Sequence, residues 1–414
     1  MSQPICPVGN SDIRPDFDFP GYFETNDIQE QLLAYLNDGG SLELAQAAFE
    51  SEFKAIEMAD VTGDGVNELV GLMPQLWVAA CRDGEYIELY SDPEAPDLEG
   101  IVAIRDINQD GVVEIAFYGA LLYSWATYYR IFAWDGDDFR DLIQQGEDTP
   151  AWLAFADAQG LFWYEGGYIG ESAVGGSFTS GVLQDLDGDG TEEFVADIGV
   201  RQKHDILRNG PWRRVQETYQ WDGEHYMFVG LTIDPPEYRF QAVQDGDRMV
   251  YIGKYEEALA LYQTAIFSDQ VIAWSPEHYL AQVDGFTYGT TTPTPIAYDS
   301  EEYNHLAAYA YFRILSLHIA QGYVSDAQVV YDTLQQKFPA GQSGGIYTET
   351  AIGFWEKYQA THDIVQACEV AIEHAETNLE EFFYYLGDVQ GGDDYRFGYQ
   401  GHEYVPSDVC PFKE

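Results

Sequence analysis

The feature that most constrains the fold is an acidic nine-residue pattern that occurs three times. It has the form Asp-x-(Asp/Asn/Thr)-x-Asp-Gly-x-x-Glu and occurs as DVTGDGVNE at 60–68, DINQDGVVE at 106–114 and DLDGDGTEE at 185–193. Side chains with oxygen atoms occupy positions 1, 3, 5 and 9. Negative charges this close repel one another unless positive charge lies among them. Each pattern therefore predicts a tight loop around a positive centre.

The spacing fits Ca²⁺, which takes six to eight oxygen ligands. The glycine at position 6 allows a sharp turn, after which a backbone carbonyl at position 7 can also bind. We expect the third loop to bind most strongly and the first most weakly, because a hydroxyl replaces a carboxylate there. The alternative is a set of Asp-Gly turns that need no metal. The predicted positions are Asp60, Thr62, Asp64, Val66 and Glu68; Asp106, Asn108, Asp110, Val112 and Glu114; and Asp185, Asp187, Asp189, Thr191 and Glu193.

The segments that follow the loops are typical of β-strands. An EF-hand is excluded because the twelfth positions, Gly71, Phe117 and Ala196, have no side-chain oxygen. Apolar runs follow each loop, and an Asp-Gly dipeptide then separates two apolar or aromatic segments at 81–90, 133–142 and 220–229. Such a dipeptide indicates a hairpin. Each repeat is predicted to contain the loop, two strands, an Asp-Gly hairpin and a further strand.

Over roughly residues 58–230 this arrangement resembles the FG-GAP and VCBS repeats of integrin-like β-propellers. The resemblance implies that the loop lies between strands of a blade, binds calcium and stiffens the blade. Three repeats are fewer than the four to eight blades of a closed propeller. A degenerate blade without its loop could lie within residues 148–182. A compact partial β domain and a closed ring are both open interpretations.

Helical patterns occupy both ends of the chain. Ile28, Leu32 and Leu36 share one face of a first helix, and residues 41–53 form a second. After about residue 235, helical periodicity replaces the strand signals. We predict an α+β multidomain fold with antiparallel β repeats, a partial or degenerate β-propeller, and a C-terminal helical array. Its parts are an N-terminal arm with two short helices at 1–57, the calcium-loop domain at 58–235, the helical domain at 236–385 and a tail at 386–414.

The segment IGKYEEALALYQTAI at 252–266 resembles the turn and second helix of a tetratricopeptide repeat. The resemblance implies a stack of helix pairs, which commonly binds peptides or proteins. Two alternatives are ordinary amphipathic helices and a stack that only docks on the β domain. The matching positions are Gly253, Tyr255, Ala258, Tyr262 and Ala265, with further copies at Gly322, Ala327, Tyr331, Leu334 and Pro339 and at Ala367 and Ala371.

The four cysteines, Cys6, Cys81, Cys368 and Cys410, allow three disulfide pairings. We favour Cys368–Cys410, because Cys410 precedes a proline near the chain end, and we take Cys6–Cys81 as the second pair. Free buried thiols are the alternative. None of the cysteines forms a CxxC motif, which argues against a zinc site.

The charge is strongly acidic: 19 Lys and Arg stand against 71 Asp and Glu, a formal net charge of −52. Such a surface repels nucleic acid and attracts divalent cations or basic partners, although it also suits solubility or high salt. No apolar run is long enough to span a membrane. The first residues show no signal peptide, so the chain is either cytosolic or secreted with its signal removed. Loops of this kind suit the millimolar calcium outside cells, which favours an extracellular or cell-surface location.

No sequence motif identifies an active site. Ser343 lies in a G-x-S-x-G match, but between two predicted helices, where a nucleophile elbow would need a preceding strand. We therefore expect a non-enzymatic, calcium-stabilised structural or interaction protein, of bacterial origin, whose partner is a protein, a peptide or a second copy of itself. The first alternative is a subunit of an extracellular filament that reaches its neighbour through residues 1–25. The second is a carbohydrate-active enzyme.

Overall fold

The computed structural model describes residues 9–19, 28–50, 56–72, 76–92, 98–121, 126–143, 150–160, 180–199, 213–274, 299–387 and 402–412. The chain divides into two compact units. The β unit contains residues 1–152, 171–199 and 215–232, and the helical unit contains residues 153–170, 200–214 and 233–414. The finer domain limits drawn from the sequence stay a prediction.

The β unit contains three four-stranded antiparallel sheets, in each of which the strands are neighbours in chain order. In each sheet an acidic loop connects the first strand to the second. The structure thus adds one strand, before the loop, to the three expected from the sequence. The sheets contain β1 (Ile56–Ala59), β2 (Glu68–Leu72), β3 (Leu76–Arg82) and β4 (Glu85–Ser91); β5 (Leu98–Arg105), β6 (Glu114–Leu121), β7 (Ala126–Trp134) and β8 (Phe139–Asp141); and β9 (Ser180–Gln184), β10 (Glu193–Gly199), β11 (Arg214–Trp221) and β12 (Tyr226–Ile233).

Two N-terminal helices, α1 (Ile28–Asn37) and α2 (Leu42–Glu50), cover one face of the first sheet. Leu32 of α1 and Phe49 of α2 are buried in one cluster with Trp77 of β3. The described part of the arm, residues 9–19, joins this cluster, and the Phe17 ring lies 5.4 Å from that of Phe49. This part of the arm therefore packs on its own β unit.

The opposite face of the first sheet packs on the second sheet. Val70 of β2 and Phe117 of β6 are fully buried in the same cluster. The second sheet in turn contacts the third, where the Tyr129 ring lies 5.2 Å from that of Phe194. Gly181 of β9 permits this approach, because a Cβ atom there would lie 2.5 Å from Tyr129. The described strands therefore form sheets that pack face to face in sequence. None of these sheets closes into a barrel.

The expected degenerate blade at 148–182 is wrong for the residues that the structure describes. Pro150–Gln159 form a helix, α3, and residues from Ser180 onward belong to the third sheet. Proline is favoured at the first position of a helix, and four of the next nine residues are alanine, the best helix former. The rest of that interval, 161–179, lies outside the described residues.

The described part of the helical unit contains three helical hairpins. Their turns contain Gly253, Gly322 and His362, which have positive φ angles of 75°, 80° and 53°. None of the described helices is both long and apolar enough to cross a membrane. The helices are α4 (Arg239–Tyr251), α5 (Tyr255–Phe267), α6 (Ser300–Ala320), α7 (Val324–Lys337), α8 (Gly345–Thr361), α9 (Ile364–Thr377) and α10 (Leu379–Phe383), with a 3₁₀-helix at Pro406–Val409.

Small and aromatic side chains pack at the hairpin interfaces. Ala258 and Tyr262 of α5 are fully buried, and a Cβ atom on Gly246 of α4 would lie 2.6 Å from the Tyr262 ring. In the second hairpin, the Tyr331 ring stacks on Trp355 of α8 at 5.3 Å. Close helix packing thus accounts for these positions, and the tetratricopeptide resemblance stays a prediction.

A disulfide joins Cys368 on α9 to Cys410, 42 residues later, with 5.2 Å between the Cα atoms. Cys81 is also disulfide-bonded. Its expected partner, Cys6, lies outside the described residues. The covalent link between Cys368 and Cys410 ties the end of the chain to the third hairpin.

We expect Gly246→Ala to destabilise the helical unit. Overpacking against Tyr262 costs about 1–3 kcal/mol, whereas the better helix propensity of alanine returns about 1 kcal/mol. The matched control is Gly353→Ala on α8, where the added Cβ would meet one atom, Cγ1 of the half-buried Val370, at 2.9 Å rather than three atoms of a fully buried ring. Scanning calorimetry should show a larger fall in unfolding temperature for Gly246→Ala than for Gly353→Ala, and equal temperatures would contradict the packing described.

Glu302 on α6 should make stability depend on pH. It is 1 % exposed and its Oε2 atom lies 3.3 Å from Nε of Arg239. Burial raises the pKa of Glu302 from 4.5 to about 7, against the attraction of Arg239. The folded state therefore holds a proton that the unfolded chain releases, and this contribution to stability, full at low pH, is lost as the pH rises from 4.5 to about 7.

We expect the wild type to lose more stability than Glu302→Gln over this interval, as measured by urea unfolding at a series of pH values. The neighbouring exposed Glu301 supplies the control variant Glu301→Gln, which should follow the wild type. Parallel curves for all three proteins would contradict the assignment.

Candidate metal sites in the acidic loops

The three acidic loops share one set of hydrogen bonds from backbone N–H groups to aspartate side chains. The aspartate at position 1 accepts a hydrogen bond from the glycine N–H at position 6, at 2.9 Å in Asp60–Gly65, 3.1 Å in Asp106–Gly111 and 3.1 Å in Asp185–Gly190. The aspartate at position 5 accepts from the N–H at position 7, at 2.8 Å in Asp64–Val66, 2.8 Å in Asp110–Val112 and 2.7 Å in Asp189–Thr191. The recurrence shows that the pattern encodes one loop conformation.

The glutamate at position 9 turns into each loop and is almost fully buried. It accepts a hydrogen bond from the N–H at position 2, at 3.0 Å in Glu68–Val61, 2.8 Å in Glu114–Ile107 and 2.7 Å in Glu193–Leu186. The exposed fractions of the three glutamates are 1 %, 0 % and 3 %. The glutamate thus begins the second strand of the sheet and closes the loop at the same time.

The surroundings of this glutamate favour positive charge. Burial raises the pKa of Glu114 to about 7, and the nearby carboxylates of Asp110 and Asp106 raise it further against the hydrogen bond from Ile107. Burial also raises the pKa of Glu68, with a further increase from Asp64. A cation in such a loop would stabilise the ionised carboxylates, because opposite charges nearby lower carboxyl pKa values.

Position 3 distinguishes the third loop from the other two. The Thr62 hydroxyl donates a hydrogen bond to Glu68 at 3.2 Å, and the Asn108 side-chain amide donates one to Glu114 at 3.1 Å. Asp187 has no proton to donate when ionised. It accepts a hydrogen bond from the N–H of Asp189 at 3.1 Å, as Asn108 does from the N–H of Asp110 at 2.9 Å.

The third loop contains an exposed acidic triad that could hold a metal ion. One carboxylate oxygen from each of Asp185, Asp187 and Asp189 lies within 4.8 Å of the other two. Among the described residues it is the one group of three or more His, Cys, Asp or Glu side chains that meets this distance. An all-oxygen donor set of this kind suits a hard cation such as Ca²⁺.

The first loop contains a different feature that is compatible with a cation. The Oδ1 atom of Asp60 is buried and has no hydrogen-bond partner among the described residues. Buried polar atoms are nearly always satisfied, so an unpaired carboxylate oxygen in a loop of this shape fits a cation ligand. The first loop thus has a buried carboxylate oxygen without a described partner, and the third has an exposed triad of carboxylates.

The second and third loops touch each other. The N–H of Glu192 donates a hydrogen bond to the carbonyl of Ile107 at 2.9 Å, and Arg105 pairs with the Glu192 side chain at 2.6 Å. A Cβ atom on Gly190 would overlap the side chain of Gln109. The second and third loops are thus in direct contact through a backbone hydrogen bond and through the approach of the Gln109 side chain to Gly190.

The structure places Ser343 in the turn between α7 and α8, where it accepts a hydrogen bond from Asn304 at 3.1 Å. This position, without a preceding strand, agrees with a loop serine. The sequence patterns do not predict a buried polar cluster in the helical unit around Asp247 and Arg313, which are both 0 % exposed. The sequence does contain charged residues inside the helical patterns, but they follow no spacing that would predict a buried cluster.

Comparison of the chain with protein-family models, with curated proteins and with solved structures finds no match.

We expect Asp187→Asn to lower calcium affinity roughly tenfold or more, because it removes one of three clustered negative charges. The matched control is Asp222→Asn in the Asp-Gly turn of the same sheet. Asp222 accepts hydrogen bonds from the N–H groups of Glu224 and His225, which asparagine can also accept. Isothermal titration calorimetry should show weaker binding for Asp187→Asn only, and an equal loss in both variants would indicate a general charge effect.

Proposed function

We propose that this protein is a non-enzymatic, calcium-stabilised structural or interaction protein. The observation that carries the proposal is the repetition of one loop conformation between the first two strands of each sheet. Up to three Ca²⁺ ions bind at these loops and stiffen the connection between the first two strands of each sheet. The metal has a structural role, because the position-9 glutamate is directed into the loop rather than toward an open cleft.

The β unit is proposed to be a partial propeller of the FG-GAP or VCBS type. Support comes from the sequential four-stranded sheets, the position of the loops and the burial of each position-9 glutamate. A closed ring is not needed to bury the outer face of the first sheet, since α1 and α2 cover it. The helical unit is proposed to be an irregular tetratricopeptide-like array, supported by the three hairpins and the buried Ala258, Ala327 and Ala367.

We place the protein outside the cell or on its surface. Loops with a hydroxyl or amide at position 3 carry fewer charges than high-affinity sites and suit millimolar calcium. The formal charge of −52 favours a partner with a basic surface and disfavours nucleic acid. Protein or peptide partners, including a second copy, fit a chain that combines stiffened sheets with helical hairpins.

Removal of calcium should loosen the β unit. Light scattering on a sizing column, in millimolar calcium and then in chelator, should show a compact species that swells or dissociates without the metal. Calcium at 100 times its dissociation constant adds about 2.7 kcal/mol of stability per site, so the unfolding temperature should fall in chelator.

A variant with Asp60, Asp106 and Asp185 all changed to Asn serves as the control, and chelator should not alter it further. An unchanged profile and unfolding temperature for the wild type in chelator would contradict the proposal and leave metal-independent turns. The mass measured in calcium also tests the filament alternative, for which an assembled species is expected.

A further inference from the structure

The C-terminal segment, residues 402–412, has a local structure of its own. His402 Nε2 lies 2.6 Å from Oδ2 of Asp408, and the N–H of Val405 donates a hydrogen bond to the same oxygen at 2.8 Å. The 3₁₀-helix Pro406–Val409 lies within this ring of contacts. The segment therefore presents a defined surface to the helices.

The helices form a polar docking site for this segment, made of Asp247 on α4, Tyr262 on α5, and Tyr309 and Arg313 on α6. Oδ1 of Asp247 accepts from Tyr262 at 2.5 Å and lies 3.0 Å from Nε of Arg313. Oδ2 accepts from Tyr309 at 3.0 Å. All four residues are 0 % exposed. Two of the three hydroxyl groups that donate to this carboxylate, and the arginine that pairs with it, therefore come from the helices themselves.

The segment completes the docking site with one hydroxyl and one carbonyl. The Tyr404 hydroxyl donates a hydrogen bond to Oδ2 of Asp247 at 2.8 Å, the second hydroxyl to donate to that oxygen. Arg313 Nη1 donates to the backbone carbonyl of Asp408. Without the segment, both the carboxylate and the guanidinium would lose a partner.

A covalent bond fixes the same segment. Cys410 is joined to Cys368 on α9, and both cysteines are 2 % exposed. The Phe412 ring lies 6.2 Å from that of Tyr255 on α5. Hydrogen bonds thus hold the segment to α4 and α6, and the disulfide holds it to the third hairpin.

We propose that residues 402–412 are an exchangeable intramolecular ligand, that the Cys368–Cys410 disulfide locks this ligand in its own chain, and that reduction lets the docking site accept the same segment of a second copy. The second copy fits because it presents the same tyrosine hydroxyl and the same backbone carbonyl at the same spacing. While the disulfide is closed, the segment is covalently fixed at the docking site, so the segment of another chain cannot displace it; after reduction it is held only by its noncovalent contacts and by the chain that precedes it.

Opening the lock requires a dithiol reductant. One thiolate of the dithiol attacks a sulfur of the Cys368–Cys410 bond and forms a mixed disulfide, and the second thiolate displaces the protein sulfur. Two protein thiols and one cyclic disulfide result, so two electrons and two protons pass from the dithiol to the protein. Because the disulfide is buried, the segment must move outward before the first attack.

The first test measures how fast dithiothreitol reduces the Cys368–Cys410 bond in the folded full-length protein, by alkylation and peptide mass spectrometry. Tyr404→Phe removes the hydrogen bond to Asp247 and should accelerate reduction about tenfold or more, because a hydrogen bond to a charged group is lost. Tyr385→Phe is the matched control. Its hydroxyl donates to a different carboxylate, Asp299, at 2.7 Å, and reduction should keep the wild-type rate.

The second test uses a fluorescent peptide of residues 402–412 with serine in place of Cys410. It should bind to the reduced full-length protein, and to a Cys368→Ser/Cys410→Ser variant, with at least tenfold higher affinity than to the oxidised wild type. A peptide with Tyr404→Phe should bind about tenfold more weakly.

As a control, circular dichroism should show that each protein remains helical. Equal reduction rates for Tyr404→Phe and wild type would overturn the lock. Failure of the peptide to bind a helical, reduced protein would overturn the exchange. Neither result depends on calcium, so the proposed function of the acidic loops is tested separately.

Discussion

The helical unit depends on one buried carboxylate. Asp247 lies on α4, a helix whose residues 240–250 are all buried although many of them are polar. A buried charge is costly unless it is paired and fully hydrogen-bonded, and Asp247 meets this condition with one arginine and three tyrosine hydroxyls. These donors come from α5, α6 and the C-terminal segment. Loss of any one of them would leave part of a charge unsatisfied, so the carboxylate specifies how these elements fit together.

The β unit also places carboxylates close together, in the acidic loops at its surface. Each acidic loop gathers several carboxylates, and backbone N–H groups of the same loop supply most of their described hydrogen bonds. The position-9 glutamate is the exception in burial, since it begins the second strand and faces inward. Burial raises the pKa of Glu114 to about 7, which shows how strongly this site resists negative charge. In both units, then, the enclosed acidic side chains, Asp247 and the position-9 glutamates, are held by hydrogen bonds from neighbouring groups.

Local spacing made much of this fold predictable. Glycine at position 6 has φ angles of 84°, 89° and 94° in the three loops, so the sharp turn follows directly from the pattern. The helix pairs and their turns also follow from local periodicity. The strand before the first loop, Ile56–Ala59, is not indicated by the sequence, because it has only four residues and includes Glu57. The burial of α4 could not be foreseen, because Asp247 finds Tyr309 and Tyr404 62 and 157 residues later in the chain. In the candidate site, residue types predicted the loops, whereas the contact between the second and third loops required the structure.

The same separations set an order for folding during synthesis. Every sheet pairs strands that are neighbours in the chain, so each sheet can form soon after its last strand leaves the ribosome, and the three can assemble in sequence. The helical unit cannot finish in this way. Its central carboxylate receives one donor from Tyr404, 157 residues after Asp247, so α4 to α6 have an incomplete polar centre until that residue has been synthesised. A nascent chain of this protein should therefore carry a folded β unit and an incomplete helical unit until Tyr404 has left the ribosome.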